Sequence, residues 1–334
     1  MNALRVLFLG GTGTISAACV RAAAAAGHEV TVINRGVSRR PIPNDVRKVI
    51  GDVRDTDLLQ RVMRQGRFDV VADFLSFVPA HVRNVLSTLS DALTQYVFVS
   101  SASVYEKPPS RLPVNESTRL HNPFWQYSRD KIACEEVLAA ARQAGGFPAT
   151  VIRPSHTYDE TRVPTLGGWT DVARMRAGKP VIVHGDGTSL WTITHADDFA
   201  IGFNGLLGHP QAIGESFTIT GSHAPTWNQI YRWLALAAGV PDARFVHVPS
   251  TTLAAWLPDL GPRLLGDRTH TMLFDTSKLE RLVPDFGTSV TFDEAARRII
   301  RYHDSTDELR VVDPDLDATF DMIVSRAEAS LPRT

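Results

Sequence analysis

The run Val6-Leu7-Phe8-Leu9-Gly10-Gly11-Thr12-Gly13-Thr14-Ile15-Ser16 constrains this chain more than any other stretch. Four apolar residues form a short strand, glycines break it, and an alanine-rich stretch over 15–26 continues as a helix. A strand that turns on glycines into a helix can bring its backbone close to an anion. The first helical N–H groups and the positive end of the helix dipole face the same point. Such a turn seats a dinucleotide pyrophosphate, with Gly10, Gly13, Thr14 and Ile15 as the contacts. Ser16 stands where a third glycine usually sits. After Gly27-His28, a second apolar strand over 30–33 completes a βαβ unit.

The same alternation runs through the first half. Strands are expected over 4–9, 30–33, 46–50, 70–74, 96–100 and 150–153, and helices over 15–26, 57–65, 80–93 and 127–144. Continuous apolar strands separated by helices predict a parallel sheet covered on both faces, an α/β doubly wound fold of Rossmann type. After Pro154 the texture changes to loops rich in Gly, Pro and Thr, with helices expected over 227–238, 251–260, 293–303 and 315–331. Thr226 is the expected N-cap of the first of these and Gly239 its stop. The expected division is a dinucleotide-binding domain over 1–160, joined again by 190–222, and a smaller C-terminal substrate-binding lobe over 161–189 and 223–334.

Bulk properties narrow the function classes. The chain has 334 residues, a net charge of -1 and 21% charged residues, so no basic field points to a nucleic-acid partner. Cys19 and Cys134 are too few for a disulfide framework and read as small buried hydrophobes in a reducing compartment. No apolar run approaches the ~20 residues of a membrane span. A cytoplasmic enzyme is the simplest expectation, with a homodimer possible.

Ile33-Asn34-Arg35-Gly36 closes the second strand, where selection of NAD usually calls for a carboxylate. Asn34 and Arg35 stand there instead, and a guanidinium suits a 2′-phosphate. Arg39 and Arg40 could add to the positive field. The cofactor expectation is therefore NAD(P) with a lean to NADP, although Arg35 could equally stack on the adenine of either form. Asp52, followed by Val53, either accepts from the adenine amino group or caps the next helix, a task Asp55 could also serve.

Tyr127-Ser128-Arg129-Asp130-Lys131 supplies the chemistry. Tyr127 and Lys131 are four apart and share a helix face, and a nearby ammonium favours phenolate, making tyrosine a usable acid or base. The strand Val97-Phe98-Val99 runs into Ser100-Ser101-Ala102-Ser103-Val104-Tyr105, placing hydroxyls at the end of a strand where ligands bind.

Taken in order, these motifs resemble the extended branch of the short-chain dehydrogenase/reductase superfamily, the NAD-dependent epimerase/dehydratase family, in its divergent reaches near UDP-galactose 4-epimerase-like proteins. The resemblance also takes in Gly51-Asp52-Val53-Arg54-Asp55, Arg153-Pro154-Ser155-His156-Thr157-Tyr158 and Gly185-Asp186-Gly187 with His195-Ala196-Asp197-Asp198. It implies Tyr127 as acid/base, Lys131 as the residue that binds the nicotinamide ribose and tunes the tyrosine, and Ser101 as the catalytic hydroxyl, with Ser103 as runner-up. It also implies Pro154 and Ser155 at the nicotinamide carboxamide. Ala102 and Ser103 replace the Asp-Glu pair of sugar-nucleotide 4,6-dehydratases, which argues against that reaction.

The arginine that grips the substrate diphosphate in the epimerases aligns with Trp191 or its neighbour Leu190. Arg263 and Arg268 could supply guanidinium groups in its place. Asp73-Phe74-Leu75-Ser76-Phe77 replaces a small Ala-Ala and makes the nicotinamide side bulkier. Within the family the His195 motif starts a helix, and no metal is expected.

Trp125, Gln126, His156, Tyr158 and Trp191 could touch substrate, or serve turns and packing. Trp169 could stack on a sugar or belong to the core. A divergent subgroup sharing Asn-Arg-Gly includes chloroplast stem-loop RNA-binding proteins. The leading expectation is a nucleotide-sugar epimerase that oxidises a carbinol carbon and returns the hydride to the other face. The alternatives are an NAD(P)H-dependent reductase or dehydrogenase of a sugar or small carbonyl compound, and a non-catalytic or RNA-binding relative.

Overall fold

The computed structural model describes residues 3–38, 40–90 and 92–329. Strands β1 (Arg5–Leu9), β2 (Glu29–Asn34), β3 (Arg47–Ile50), β4 (Val70–Asp73), β5 (Gln95–Val99) and β6 (Ala149–Pro154) alternate with helices. Those helices are α1 (Thr14–Ala25), α2 (Thr56–Gly66), α3 (Pro79–Leu86) and α4 (Gln126–Gly145). In the second half come β7 (His156–Tyr158), α5 (Trp169–Arg176), β8 (Val181–His184), β9 (Ile193–His195) and α6 (Ala196–Gly205). They are followed by β10 (Ser216–Ile219), α7 (Trp227–Ala237) and β11 (Phe245–Val248).

Seven strands form one sheet in the order β10-β6-β5-β4-β1-β2-β3, and every pairing is parallel. The chain is thus an α/β protein with a Rossmann-type parallel sheet. β1 alternates cleanly between the two faces. Val6 and Phe8 pack with α1 and with Phe199 and Phe203 of α6, while Leu7 and Leu9 pack with Leu59, Val62 and Leu138. All four β1 side chains are fully buried, which is why the strand reads as an unbroken apolar run. The strand order reverses at β1, so a crevice opens beside its C-terminal end, between β1 and β4.

The remaining segments build a second core. β8 and β11 pair in parallel, and α5, α7 and the helix Phe292–Asp304 close over them around Trp169, Trp191, Trp227 and Tyr231. Thr226 caps α7 reciprocally with Gln229, and Gly239 stops it at φ +80°. Isolated bridges Val114–Phe274 and Trp191–Met272 tie the C-terminal stretch to the mouth of the crevice.

Several boundaries move. The helix expected over 80–93 ends at Leu86, and one residue of the expected span, Asp91, lies outside the described residues. The helix expected over 251–260 ends at Trp256. The last helix runs Pro314–Ala329, and the end of its expected span likewise falls outside the described residues. Cys19 and Cys134 are free and buried. No helix among the described residues is long and apolar enough to cross a membrane.

Candidate active site

A cavity of about 740 Å³ runs from the glycine turn, past the ends of β1, β4 and β5, to the C-terminal stretch around Arg263–Phe274. At one end lies the turn itself. Gly10 has φ +93° and Gly11 φ +139°, backbone that L side chains rarely adopt. A Cβ on Gly11 would stand 2.6 Å from Val32 Cγ1, and one on Gly10 would stand 3.1 Å from Leu75 Cγ. The turn is therefore pressed between β2 and the loop after β4, and its Gly10 N–H donates to the Ile33 carbonyl at 2.9 Å. Ser16 occupies the position of the missing glycine without obstructing it. Its hydroxyl accepts from the Gly13 N–H at 2.9 Å, which satisfies one N–H at the start of α1. No acidic residue sits in the first turn of α1, so the positive end of its dipole is uncancelled. Thr14 opens α1 but does not line the cavity; its hydroxyl accepts from Arg40 at 3.2 Å.

Asn34, Arg35, Asp52 and Val53 line the outer wall of this end. The Asn34 side chain is occupied by its own turn, accepting from Gly36 N at 2.9 Å. Arg35 is exposed, and among the described residues its guanidinium has no partner. Arg39 lies outside the described residues. Arg40 departs from the expectation that it adds a free positive field here. Its Nε donates to Asp159 at 3.0 Å, and its Nη2 reaches Thr14 and Thr161, so it fastens the loop after β2 across to the segment after β7. Capping of α2 falls to Asp55, which accepts from Asp57 N and Leu58 N. Among the described residues Asp52 accepts only from Arg54 N, at 3.0 Å, and it lines the cavity with carboxylate capacity to spare.

Midway, α4 delivers Tyr127 and Lys131. Lys131 is 1% exposed and donates to the carbonyls of Ser76 and Val99, both at 2.7 Å. Its ammonium lies 4.9 Å from the Phe77 ring centroid and 5.9 Å from that of Tyr127. Burial pulls the ammonium down to about 8, while Asp73 works against the shift. Burial pushes the Tyr127 phenol up to about 12, with a hydrogen bond from Ser101 opposing it, so at neutral pH Tyr127 holds its proton. The Tyr127 ring is packed against Trp125 with centroids 4.7 Å apart.

Ser101 belongs to a chain of hydroxyls. Ser101 and Ser103 Oγ are 2.9 Å apart, Ser128 donates to Ser103 at 2.8 Å, and Asn122 Nδ2 lies 3.2 Å from Ser128 Oγ. The same Asn122 amide donates to the carbonyls of Ser103 and Gly266, each at 2.7 Å. Ser101 lines the cavity beside Tyr127 and works against the rise of its phenol, and Ser103, 3% exposed, contacts the Ser101 hydroxyl at 2.9 Å. Pro154 and Ser155 line the cavity at the end of β6, the Ser155 hydroxyl donating to Thr192 O.

The far end is cationic. Arg162, Arg263, Arg268 and Lys107 line it, faced by a single carboxylate, Asp267. Arg268 is 2% exposed, and its Nε and Nη1 have no hydrogen-bond partner. Burial and the neighbouring Arg263 bring its guanidinium down to about 10. His156 and Trp191 form the apolar wall, their rings 6.2 Å apart. Burial, with Arg268 second, holds His156 well below the ordinary range, so it is neutral.

One expectation is corrected, and two open alternatives resolve to packing. Gln126 is exposed and bonded to Asp130 and Arg129 on the helix surface, outside the cavity. Trp169 is core, stacked on His303 at 4.5 Å. Tyr158 is 1% exposed and packs edge-on against His195 and Phe292. His195 accepts from Asp197 N at the start of α6. Sequence reasoning missed Lys107, Arg162, Asp267, Asn122 and Ser128. Ser128 sits inside the Tyr127–Lys131 motif; the others come from loops whose convergence only the tertiary structure creates.

A model of the NAD dependent epimerase/dehydratase family matches residues 6–220. The chain belongs to that family. Among its relatives is a 2'-dehydrokanamycin reductase from Streptomyces kanamyceticus, 29% identical over 98% of this chain and 92% of the relative. A chloroplast stem-loop binding protein of Arabidopsis thaliana is 29% identical over 73% of this chain and 65% of its own. A UDP-glucose 4-epimerase from Lactobacillus helveticus is 28% identical over 45% of this chain and 51% of its own. Among solved structures, the UDP-glucose 4-epimerase of Bifidobacterium longum with NAD+ and UDP superposes with a TM-score of 0.71 at 21% identity. That match covers 91% of this chain and 99% of the epimerase. These neighbours carry the same fold, and the family is one of NAD(P)-dependent epimerases and oxidoreductases.

Proposed function

We propose that this family member is a nucleotide-sugar epimerase. It would oxidise a carbinol carbon to a ketone and return the hydride to the opposite face. The observation that carries this is a single cavity joining three parts: a glycine turn with an uncancelled helix N-terminus, the Ser101–Tyr127–Lys131 set, and an arginine-lined far end. The glycine turn fits a nicotinamide dinucleotide, because it lines the cavity at the start of α1, whose first turn carries no acidic residue to cancel the helix dipole. Gly10, Gly13 and Ile15 would hold its pyrophosphate side, Asp52 and Val53 its adenine side, and Lys131, Pro154 and Ser155 its nicotinamide side. When bound, that cofactor supplies hydride acceptance and donation. Tyr127 moves the hydroxyl proton at its Oη, Ser101 holds the substrate oxygen, and Lys131 fixes both the ribose side and the tyrosine. Trp125 and Phe77 exclude water around the phenol.

The far end suits a diphosphate. Three guanidinium groups crowd together, and Arg268 is buried with donors unspent, a costly arrangement without an anion. Arg268→Met is expected to weaken UDP binding about 10- to 100-fold, measured by titration calorimetry. The same change should leave unfolding stability unchanged or raised, since it removes an unpaired buried charge. Unaltered UDP affinity would remove the diphosphate from this end.

NADP is the proposed preferred cofactor, because Arg35 stands unpartnered where a 2′-phosphate would lie. Arg35→Asp should shift the kcat/KM ratio of NADP to NAD by at least about 10-fold toward NAD.

The deciding experiment incubates purified protein with UDP-glucose and follows both product and nicotinamide absorbance. An epimerase yields a second hexose with no net change at the nicotinamide band. The second reading is a reductase, favoured by the near-full-length match to a reductase and by the protonated Tyr127 at neutral pH, the form that donates to a ketone. Stoichiometric consumption of reduced cofactor with a keto sugar, and no epimer, would select it.

A further inference from the structure

Lys107 and Asp267 both line the far part of the cavity, and neither is used by the chemistry above. Lys107 is 3% exposed, yet its ammonium has a poor partner. Nζ reaches only the Met272 thioether, at 3.0 Å, among the described residues. A thioether is a weak acceptor, so two of the three ammonium donors remain unspent. Asp267 lies between Gly266, which abuts Trp125, and the buried Arg268, and its charge is felt at Tyr127. Among the described residues no ion pair joins Lys107 to Asp267, although each acts on the other's charge. A donor and an acceptor of opposite sign thus flank a gap beside the reacting tyrosine. The group that satisfies both is one that accepts and donates at once, which is a hydroxyl.

We infer that Lys107 and Asp267 are a specificity-determining pair, bridged by a hydroxyl of the substrate's sugar next to the carbon that Tyr127 serves. The pair reads a hydroxylated sugar, and its position beside Trp125 sets which carbinol carbon reaches Ser101 and Tyr127. This rests on the nucleotide-sugar reading and adds the part of the substrate that the arginines do not touch.

The test uses full-length, cofactor-loaded protein carrying Tyr127→Phe, so that bound sugar is not converted. UDP-glucose and UDP are titrated into it with and without Lys107→Met, and separately with and without Asp267→Asn. Lys107→Met places one thioether beside another and removes a buried charge; Asp267→Asn keeps shape and hydrogen-bonding length. Each substitution is expected to weaken UDP-glucose about 10-fold while leaving UDP unchanged. Equal weakening of UDP and UDP-glucose by Lys107→Met would assign the lysine to the diphosphate and overturn the pair. UDP-glucose affinity untouched by both substitutions would overturn it too. If neither probe binds the protein with Lys107 and Asp267 intact, the nucleotide-sugar reading itself fails, and the pair's role fails with it.

Discussion

Tyr127→Phe abolishes turnover to within about 10²–10⁴-fold of the present rate and leaves cofactor binding intact, because one proton-transferring oxygen is all that is removed. The ring stays packed on Trp125, and Lys131 keeps its anchors at the Ser76 and Val99 carbonyls, so the seat for the ribose is undisturbed. Steady-state kinetics separates the outcomes. A drop in kcat with KM nearly constant identifies a group acting on the reacting atoms. Unchanged kcat would remove Tyr127 from the chemistry. Lys131→Met behaves differently, since it strips a cation from beside the phenol and from the ribose wall together, and it should weaken cofactor binding as well as turnover.

Arg153→Met is the substitution with the largest expected effect on stability. Arg153 and Glu135 side chains are 7% and 8% exposed and pair through two contacts, at 3.1 and 2.6 Å. Ser100 donates to the same carboxylate, and Arg153 also donates to the Tyr105 hydroxyl at 3.1 Å. Burial alone would lower the guanidinium's basicity, but Glu135 holds it above its ordinary value. Removing the arginine strands a buried carboxylate, which costs about 3–5 kcal/mol in denaturant unfolding. Pairing Arg153→Met with Glu135→Leu should recover most of that loss, because two apolar groups replace two charges. A loss under about 1 kcal/mol for the single change would mean that water or local rearrangement reaches Glu135. The pair matters to function because it joins the end of β5, β6 and α4, the three elements that present Ser101, Pro154 and Tyr127.

The inner strands β1, β4 and β5 were legible because they are buried on both faces and carry a nearly uninterrupted apolar signature, whereas the exposed edge strand β3 shows it only in Val49 and Ile50. The glycine turn and the Tyr127–Lys131 pair were legible because local spacing fixes their geometry, whereas Ser101 was singled out from its neighbours only by the family resemblance. The boundaries of α3 and of the helix Ser250–Trp256 were not, since helical periodicity continues where tertiary packing stops the helix. The far end of the cavity was read only in part. Arg263 and Arg268 stood out as guanidinium groups in a Pro-rich stretch. Lys107, 160 residues before Asp267 in the chain, gave no sign that it would face it. Arg40 was misread for a related reason. A loop arginine looks free until its partner, Asp159, is folded against it.

Asn122 has a consequence for redesign. One carboxamide fastens the carbonyl of Ser103 and the carbonyl of Gly266, and so joins the hydroxyls that steer the reacting oxygen to the turn that bears Asp267 and Arg268. Selectivity and rate are therefore not separate modules in this enzyme. On the proposed reading, a graft that swaps the 261–274 stretch for that of a relative would retune what binds. It would also loosen the Ser101–Ser103 hydroxyls unless position 266 stays a glycine, where a Cβ would stand 2.8 Å from Trp125 Cβ and 3.0 Å from the Asn122 side chain.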